Sequence, residues 1–304
     1  MMPSLPSTDR AQESADGHRI VHIASMARSG ETLLLRTLAA HPRIHIVHNL
    51  LRHDTQQEVR LFRHLKGCSE RSIAAGHPLI RDLGLQPGVV LVLKQSVWEH
   101  QFPFTGVVLV RNPVSIFASL SLYDSHDDSG DLATSWKANT ARLTRWLDDI
   151  DPVLSPCLRG LSPIEQFCLF YNRRMGALTD LGLPVIHYER FVTSSTAVLP
   201  AILDAIGVEF SPHLVNSHVD FKSRRMGHGK NDLARPIDRK SLTLYRRAMD
   251  EAQFEAVADG TAAVSSAFGY IMTWRKMQVN YRGALLWSED SEDDSVIAVQ
   301  PPAA

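Results

Sequence analysis

The chain has 304 residues, 44% of them hydrophobic and 21% charged, with a formal net charge of −1. That is enough apolar material to bury a sizeable core, and the balanced charge argues against binding nucleic acid through bulk charge, so any anion site has to be a local one. The three cysteines, Cys68, Cys157 and Cys168, are far apart and form no Cys-x-x-Cys pair, which points away from a zinc or dithiol motif and toward a reducing compartment.

In chain order, residues 1–17 are rich in Ser, Asp and Pro, have no periodicity and read as a disordered segment. They contain no apolar core of the kind a secretory signal carries, and no run anywhere approaches 18 apolar residues, so the expectation is a cytoplasmic protein without an integral membrane segment. Short β-rich runs follow at 19–24 (RIVHIA), 88–94 (GVVLVLK), 106–110 (GVVLV) and 184–188 (PVIHY). Helical spacing fills the intervals: Leu33, Leu34 and Leu38; Trp136, Leu143, Trp146 and Leu147; Ile164, Phe167, Phe170 and Tyr171; and Val198, Ile202 and Ile206 before Gly207. The acidic stretch SEDSEDDS falls within 286–304, which reads as a flexible tail. With no internal repeat and no linker between, 18–285 is predicted to be one α/β domain: a mainly parallel sheet with helices on both faces. In such sheets ligands bind beyond the carboxyl ends of the strands.

Two strand ends carry chemistry. After the first strand the chain reads Ser25-Met26-Ala27-Arg28-Ser29-Gly30-Glu31-Thr32 and enters a helix, so unpaired N–H groups and the positive end of the helix converge on one point, a cradle for an anion. Gly30 permits close backbone approach, Ser29 and Thr32 supply hydroxyls, and Arg28 supplies a cationic fork. Glu31 puts a carboxylate beside that cradle; as one of the first helical residues it can face away from the ligand or pair with a nearby basic group. The second strand end is Arg111, followed by Pro113 at a favoured helix-opening position and by Ser119 eight residues on. Arg111 and Ser119 together could grip a second phosphate, or cap a helix and sit at the surface. The nucleotide-kinase pattern Gly-x4-Gly-Lys-Ser/Thr is missing, as is an Asp after an apolar strand to hold magnesium, so no metal is expected.

On these residues the sequence resembles the sulfotransferases that use 3′-phosphoadenosine 5′-phosphosulfate (PAPS), most nearly the branch with tyrosylprotein and bacterial members. That family holds the 5′-phosphosulfate with Arg/Lys-Ser-Gly-Thr-Thr and the 3′-phosphate with an Arg and a Ser eight residues later; Arg28-Ser29-Gly30-Glu31-Thr32 and the Arg111–Ser119 pair are similar to these. His41-Pro42, VIHYERF at 185–191 and FGY at 268–270 extend the likeness over about 20–270. The resemblance implies a three-layer sandwich of the P-loop NTPase-like type and transfer of a sulfuryl group from PAPS to a hydroxyl or amine by in-line attack. It implies a small-molecule, saccharide or peptide acceptor.

The resemblance also distributes roles. Arg28, Ser29, Gly30, Glu31, Thr32, Leu33, Arg111, Ser119 and Tyr188 would hold the cofactor. The late basic loop with Arg225, Gly227, His228, Gly229 and Lys230 would close over the 3′-phosphate and adenine, unless it is a solvated excursion. Lys94 would reach the oxygen bridging sulfate and phosphate, with Arg28 beside it in catalysis. For the base, the family's histidine two residues after that lysine is Ser96 here, and the glutamates that follow His-Pro in the tyrosylprotein branch are replaced by His48 and Asn49. His48, whose neutral imidazole accepts a proton near neutral pH, is the candidate base and His100 the second choice. Trp98, Phe102, Phe104, Trp136 and Trp146 either line an acceptor cleft or belong to the core. A nucleotide-binding phosphotransferase of the same fold and a non-catalytic sulfotransferase-like protein that binds only nucleotide or a partner are the alternatives.

Overall fold

The computed structural model describes residues 17–47, 55–66, 70–95, 105–122, 144, 148, 151–221 and 234–289. A parallel sheet runs in the order β2 (Ile44–Val47), β4 (Val90–Gln95), β1 (Gly17–Ser25), β5 (Thr105–Val110) and β6 (Val185–His187), and β3 (Ser72–Ala74) joins it antiparallel against the start of β1. β1 is therefore the middle strand. Its register aligns Ile23 with Lys94 on one side and Ser25 with Leu109 on the other, so the ends of β1, β4 and β5 open along one edge.

The strands expected at 19–24, 88–94, 106–110 and 184–188 all form, with ends shifted by one or two residues. The last one stops earlier: Tyr188, assigned to the strand in the sequence, is the first residue of a helix. Alternation along β1 and β4 divides the core. Ile20, Leu91 and Leu93 face Leu61, Leu65 and Ile80 on one side, while Val21, Ile23, Val90 and Val92 join the large cluster on the other. The first side is covered by α2 (Gln56–Lys66) and α3 (Pro78–Arg81). The large cluster takes in α1 (Glu31–Ala39), α4 (Pro113–Ser121), α5 (Pro163–Thr179), α6 (Tyr188–Thr193), α7 (Ser195–Ala205), α8 (Tyr245–Ala248) and α9 (Glu251–Ser265). The sheet thus lies between helical layers.

Helix boundaries follow their caps. Asn112 accepts from the Ser115 N–H at 2.7 Å ahead of Pro113 in α4, Ser162 and Glu165 form a capping box on α5, and Asp250 with Gln253 does the same for α9. Each satisfies N–H groups that a helix start leaves open.

A second sheet lies at the C-terminal end: β7 (Tyr270–Met272), β8 (Met277–Tyr281) and β9 (Ala284–Ser288), antiparallel in sequence order. Residues 286–288, which the sequence assigns to the flexible tail, belong to β9. They are held because Trp287 is buried beside Val279 and Glu289, the next residue, accepts from the Tyr245 hydroxyl and the Arg246 guanidinium.

Candidate anion-binding site at the ends of β1 and β5

The chain leaves β1 through a tight loop. The Ser29 amide donates to the Met26 carbonyl at 3.1 Å, and the backbone is left-handed at Arg28 (φ 75°) and again at Gly30 (φ 96°), with Ser29 between them outside that region. Alternation of this kind turns successive N–H groups toward one side and makes a concavity for an anion. Gly30, the residue before α1, caps the helix with no side-chain acceptor, so the helix start offers its N–H groups outward. A methyl group at Gly30 would run into the ring of Tyr188; only glycine fits both the backbone angle and that contact. Ser29 is fully buried, and its hydroxyl has no partner among the described residues. Thr32 and Leu33 occupy the first turn half-buried, and the Leu33 amide is used within the turn, donating to the Gly30 carbonyl.

The second strand end folds onto the first. Arg28 donates from Nε to the Ser119 hydroxyl at 2.9 Å, and Arg111 donates to the Arg28 carbonyl at 3.0 Å. Arg28, Arg111 and Ser119, distant in sequence, are thus one cluster. Arg111 is almost wholly buried. It stacks on the Tyr188 ring, its guanidinium carbon 4.5 Å from the centroid, and gives a further hydrogen bond to the Ser241 carbonyl at 2.7 Å. The Ser241 hydroxyl bonds to that of Tyr188 at 2.7 Å. Ser241, a lone serine outside any motif, carries no signal in the sequence.

Beneath the cluster Glu189 ties the pieces together. Fully buried, it accepts from the Asn112 amide N–H (2.9 Å), from the Asn112 side-chain amide (2.7 Å) and from the Tyr270 hydroxyl (2.9 Å). Burial first, and then the negative Glu189, hold the Tyr270 phenol far above its usual titration range. The segments 185–191 and 268–270 therefore meet directly under Arg111.

Glu31 turns inward. It is 5% exposed and accepts from the Ser25 hydroxyl at 2.7 Å. The Ser25 carbonyl in turn receives Nε and Nη2 of Arg174 at 3.2 and 3.0 Å. Arg174 is fully buried; burial pulls its pKa down to about 10, and the charge of Glu31 opposes that fall. Of the two placements open to Glu31 in the sequence, the carboxylate is tied to the strand end and acts on a basic neighbour. Arg174 is not among the sequence candidates, although it lies at helical spacing from Phe167, Tyr171 and Leu178 on the buried stripe of α5.

Lys94 lies one residue from the end of β4, beside Ile23, so its backbone stands at the same edge; its side chain lies outside what is described. Outside the described residues also fall His48, Asn49, Ser96, His100, Arg225, Gly227, His228, Gly229, Lys230 and the aromatic set of Trp98, Phe102, Phe104, Trp136 and Trp146. Among the described residues no group of three or more His, Cys, Asp or Glu is arranged to hold a metal ion, and no helix is long and apolar enough to cross a membrane.

No family model and no curated protein matches the chain. Solved structures similar to it include three sulfotransferases. The sulfotransferase domain of the Synechococcus PCC 7002 olefin synthase has a TM-score of 0.46 at 16% identity, covering 84% of this chain and 96% of that one. The sulfotransferase domain from the curacin biosynthetic pathway has a TM-score of 0.43 at 19% identity, covering 82% and 96%. The mouse sulfotransferase SULT7A1, complexed with PAP, has a TM-score of 0.43 at 13% identity, covering 81% and 84%.

Proposed function

We propose that this protein transfers a sulfuryl group from PAPS to a hydroxyl or amine on a small molecule, a saccharide or a peptide. The observation that carries the proposal is the convergence of two strand-end motifs: the Arg28 guanidinium on the Ser119 hydroxyl, and Arg111 on the Arg28 carbonyl, beside a loop whose backbone is left-handed on both sides of Ser29. A donor with phosphates on both sides of its ribose fits a site with cationic groups from two adjacent strands. The buried Ser29 hydroxyl, without a partner among the described residues, and a helix start without a side-chain cap agree with an anion at the loop.

When bound, the donor supplies an activated sulfuryl group whose departure leaves a bisphosphate. The chain's part is electrostatic and positional. In this proposal the loop amides, the Ser29 and Thr32 hydroxyls and Arg28 hold the 5′-phosphate; Arg111 and Ser119 hold the 3′-phosphate; and Tyr188, stacked on Arg111 and packed on Gly30, keeps both in place. Lys94, whose backbone stands at the neighbouring strand end, would supply positive charge for the leaving oxygen, and His48 would take the acceptor's proton. Arg225, Gly227, His228, Gly229 and Lys230, which lie outside the described residues, would close over the nucleotide.

Equilibrium binding compared between adenosine 3′,5′-bisphosphate and ATP with Mg²⁺ tests the donor class. Preference for the bisphosphate is expected; preference for ATP with Mg²⁺ makes the protein a phosphotransferase. Labelled PAPS offered with pools of hydroxyl and amine acceptors then tests transfer. Bisphosphate binding without transfer to any acceptor, under conditions in which a known sulfotransferase transfers label, makes the chain a binding protein.

A further inference from the structure

Ser25 and Glu31 bracket the loop of residues 26–30, and one hydrogen bond from the Ser25 hydroxyl to Glu31 ties its two ends together. Arg174 closes the same knot from below, with two nitrogens on the Ser25 carbonyl, while its third, Nη1, is buried with no partner among the described residues. A fully buried guanidinium held, among the described residues, by a backbone carbonyl alone is a costly arrangement unless an anion offsets its charge, and Glu31 is the carboxylate whose charge acts on it. We infer that Glu31 and Arg174 are a buried counter-charge pair that sets how strongly the loop binds an anionic group, with Arg174 a positioning residue that strengthens binding and Glu31 a brake on it. The inference rests on the proposal that the loop holds a phosphate.

The sign of each effect follows from the placement. Glu31 is the first residue of α1, so its carboxylate already occupies part of the positive field at the helix start that a bound phosphate would use. In the water-poor base of the loop its charge is weakly screened. Arg174 contributes the opposite charge at the same depth and fixes the strand end from which the loop departs.

The test is calorimetric binding of adenosine 3′,5′-bisphosphate, with thermal melting of each variant measured alongside. Glu31→Gln keeps an oxygen for Ser25 and removes the charge; affinity is expected to rise about threefold to tenfold. Arg174→Met is expected to weaken binding about tenfold or more, and Arg174→Lys, which keeps the charge, to stay within about threefold of the parent chain. Melting temperatures that shift while affinities do not would mean a structural role alone and overturn the inference. So would Glu31→Gln weakening binding in a chain that melts normally. If Arg174→Met does not fold, a tenfold loss in a folded Arg174→Lys overturns it equally. Arg28→Ala separates this inference from the one beneath it: if Arg28→Ala binds as the parent does, the phosphate assignment falls and the inference with it. If Arg28→Ala weakens binding while the Glu31 and Arg174 variants do not, only the inference falls.

Discussion

Arg28 sits in a left-handed backbone conformation that a side-chain-bearing residue adopts at a cost of about 1 kcal/mol or more, and it stays there because Ser119 and Arg111 hold its two ends. Substitution can separate strain from function. Arg28→Ala and Arg28→Gly should both weaken bisphosphate binding by roughly 1.5–3 kcal/mol, the worth of a charge-assisted phosphate contact. The glycine variant should unfold at higher urea than the alanine one, by about 1 kcal/mol, because only glycine relaxes into this conformation. Calorimetry and urea unfolding read the two effects independently; equal stability of the two variants would remove the strain argument. Gly30→Ala meets both the backbone angle and the Tyr188 ring and should cost about 2 kcal/mol or more of stability in the same unfolding assay. Arg28, Ser29 and Gly30 were legible in the sequence because a loop between a strand and a helix fixes their surroundings locally. Arg174 and Ser241 were not. Arg174 touches Ser25 from 149 residues away, and Ser241 reaches Arg111 across 130, distances over which spacing and periodicity carry nothing.

Elements meet through Glu189 in the same way. Its carboxylate joins the turn after β5, the start of α6 and the first strand of the C-terminal sheet, with both oxygens used. Glu189→Ala should therefore destabilise the protein by about 3–5 kcal/mol, since the buried Asn112 amide and the Tyr270 hydroxyl both lose their acceptor. Tyr270→Phe removes one of those bonds and should cost about 1–2 kcal/mol. Urea unfolding of the two variants checks the ranking, and a Glu189→Ala no less stable than Tyr270→Phe would show that the carboxylate does not join the elements. The parallel strands were visible because burial on both faces leaves short, valine-rich apolar runs such as VVLVL and VVLV, whose length and β-branched content favour a strand over a buried helix. The strands β2 and β3 are only four and three residues long, too short for a period to register. The C-terminal sheet escaped for another reason. In β8 the buried Met277 and Val279 alternate with the more exposed Gln278 and Asn280, a regular strand pattern, but the acidic run beyond it drew the boundary of the ordered chain too early.

At the scale of the whole molecule, buried histidines couple stability to pH. His22, in the middle of β1, is fully buried, and burial first, then the charge of Arg174, lower its pKa to about 4, with a hydrogen bond to the backbone of Thr105 opposing. Burial lowers His41, His45 and His187 as well. A histidine whose folded pKa lies below its unfolded value near 6.5 is neutral in the fold while the unfolded chain takes up the proton. Its contribution is present in full above the unfolded pKa and is lost as pH falls from about 6.5 toward the folded pKa. For His22 that window runs from about 6.5 down to about 4, and the loss between about pH 7.5 and about pH 4.5 amounts to roughly 2–3 kcal/mol from this residue alone. Urea unfolding across that range should show stability declining with acid, and His22→Leu should flatten the decline by about that amount. An unchanged slope in a folded His22→Leu would mean that other groups carry the acid sensitivity. His22 lies three residues before Ser25 on the strand that feeds the loop of residues 26–30, and its protonation would place a second positive charge near Arg174, whose positive charge already disfavours it. Arg174→Met, which removes the charge that helps to lower His22, should therefore let His22 take up its proton at a higher pH in the folded state, and the loss of stability below about pH 6.5 should become shallower in that variant.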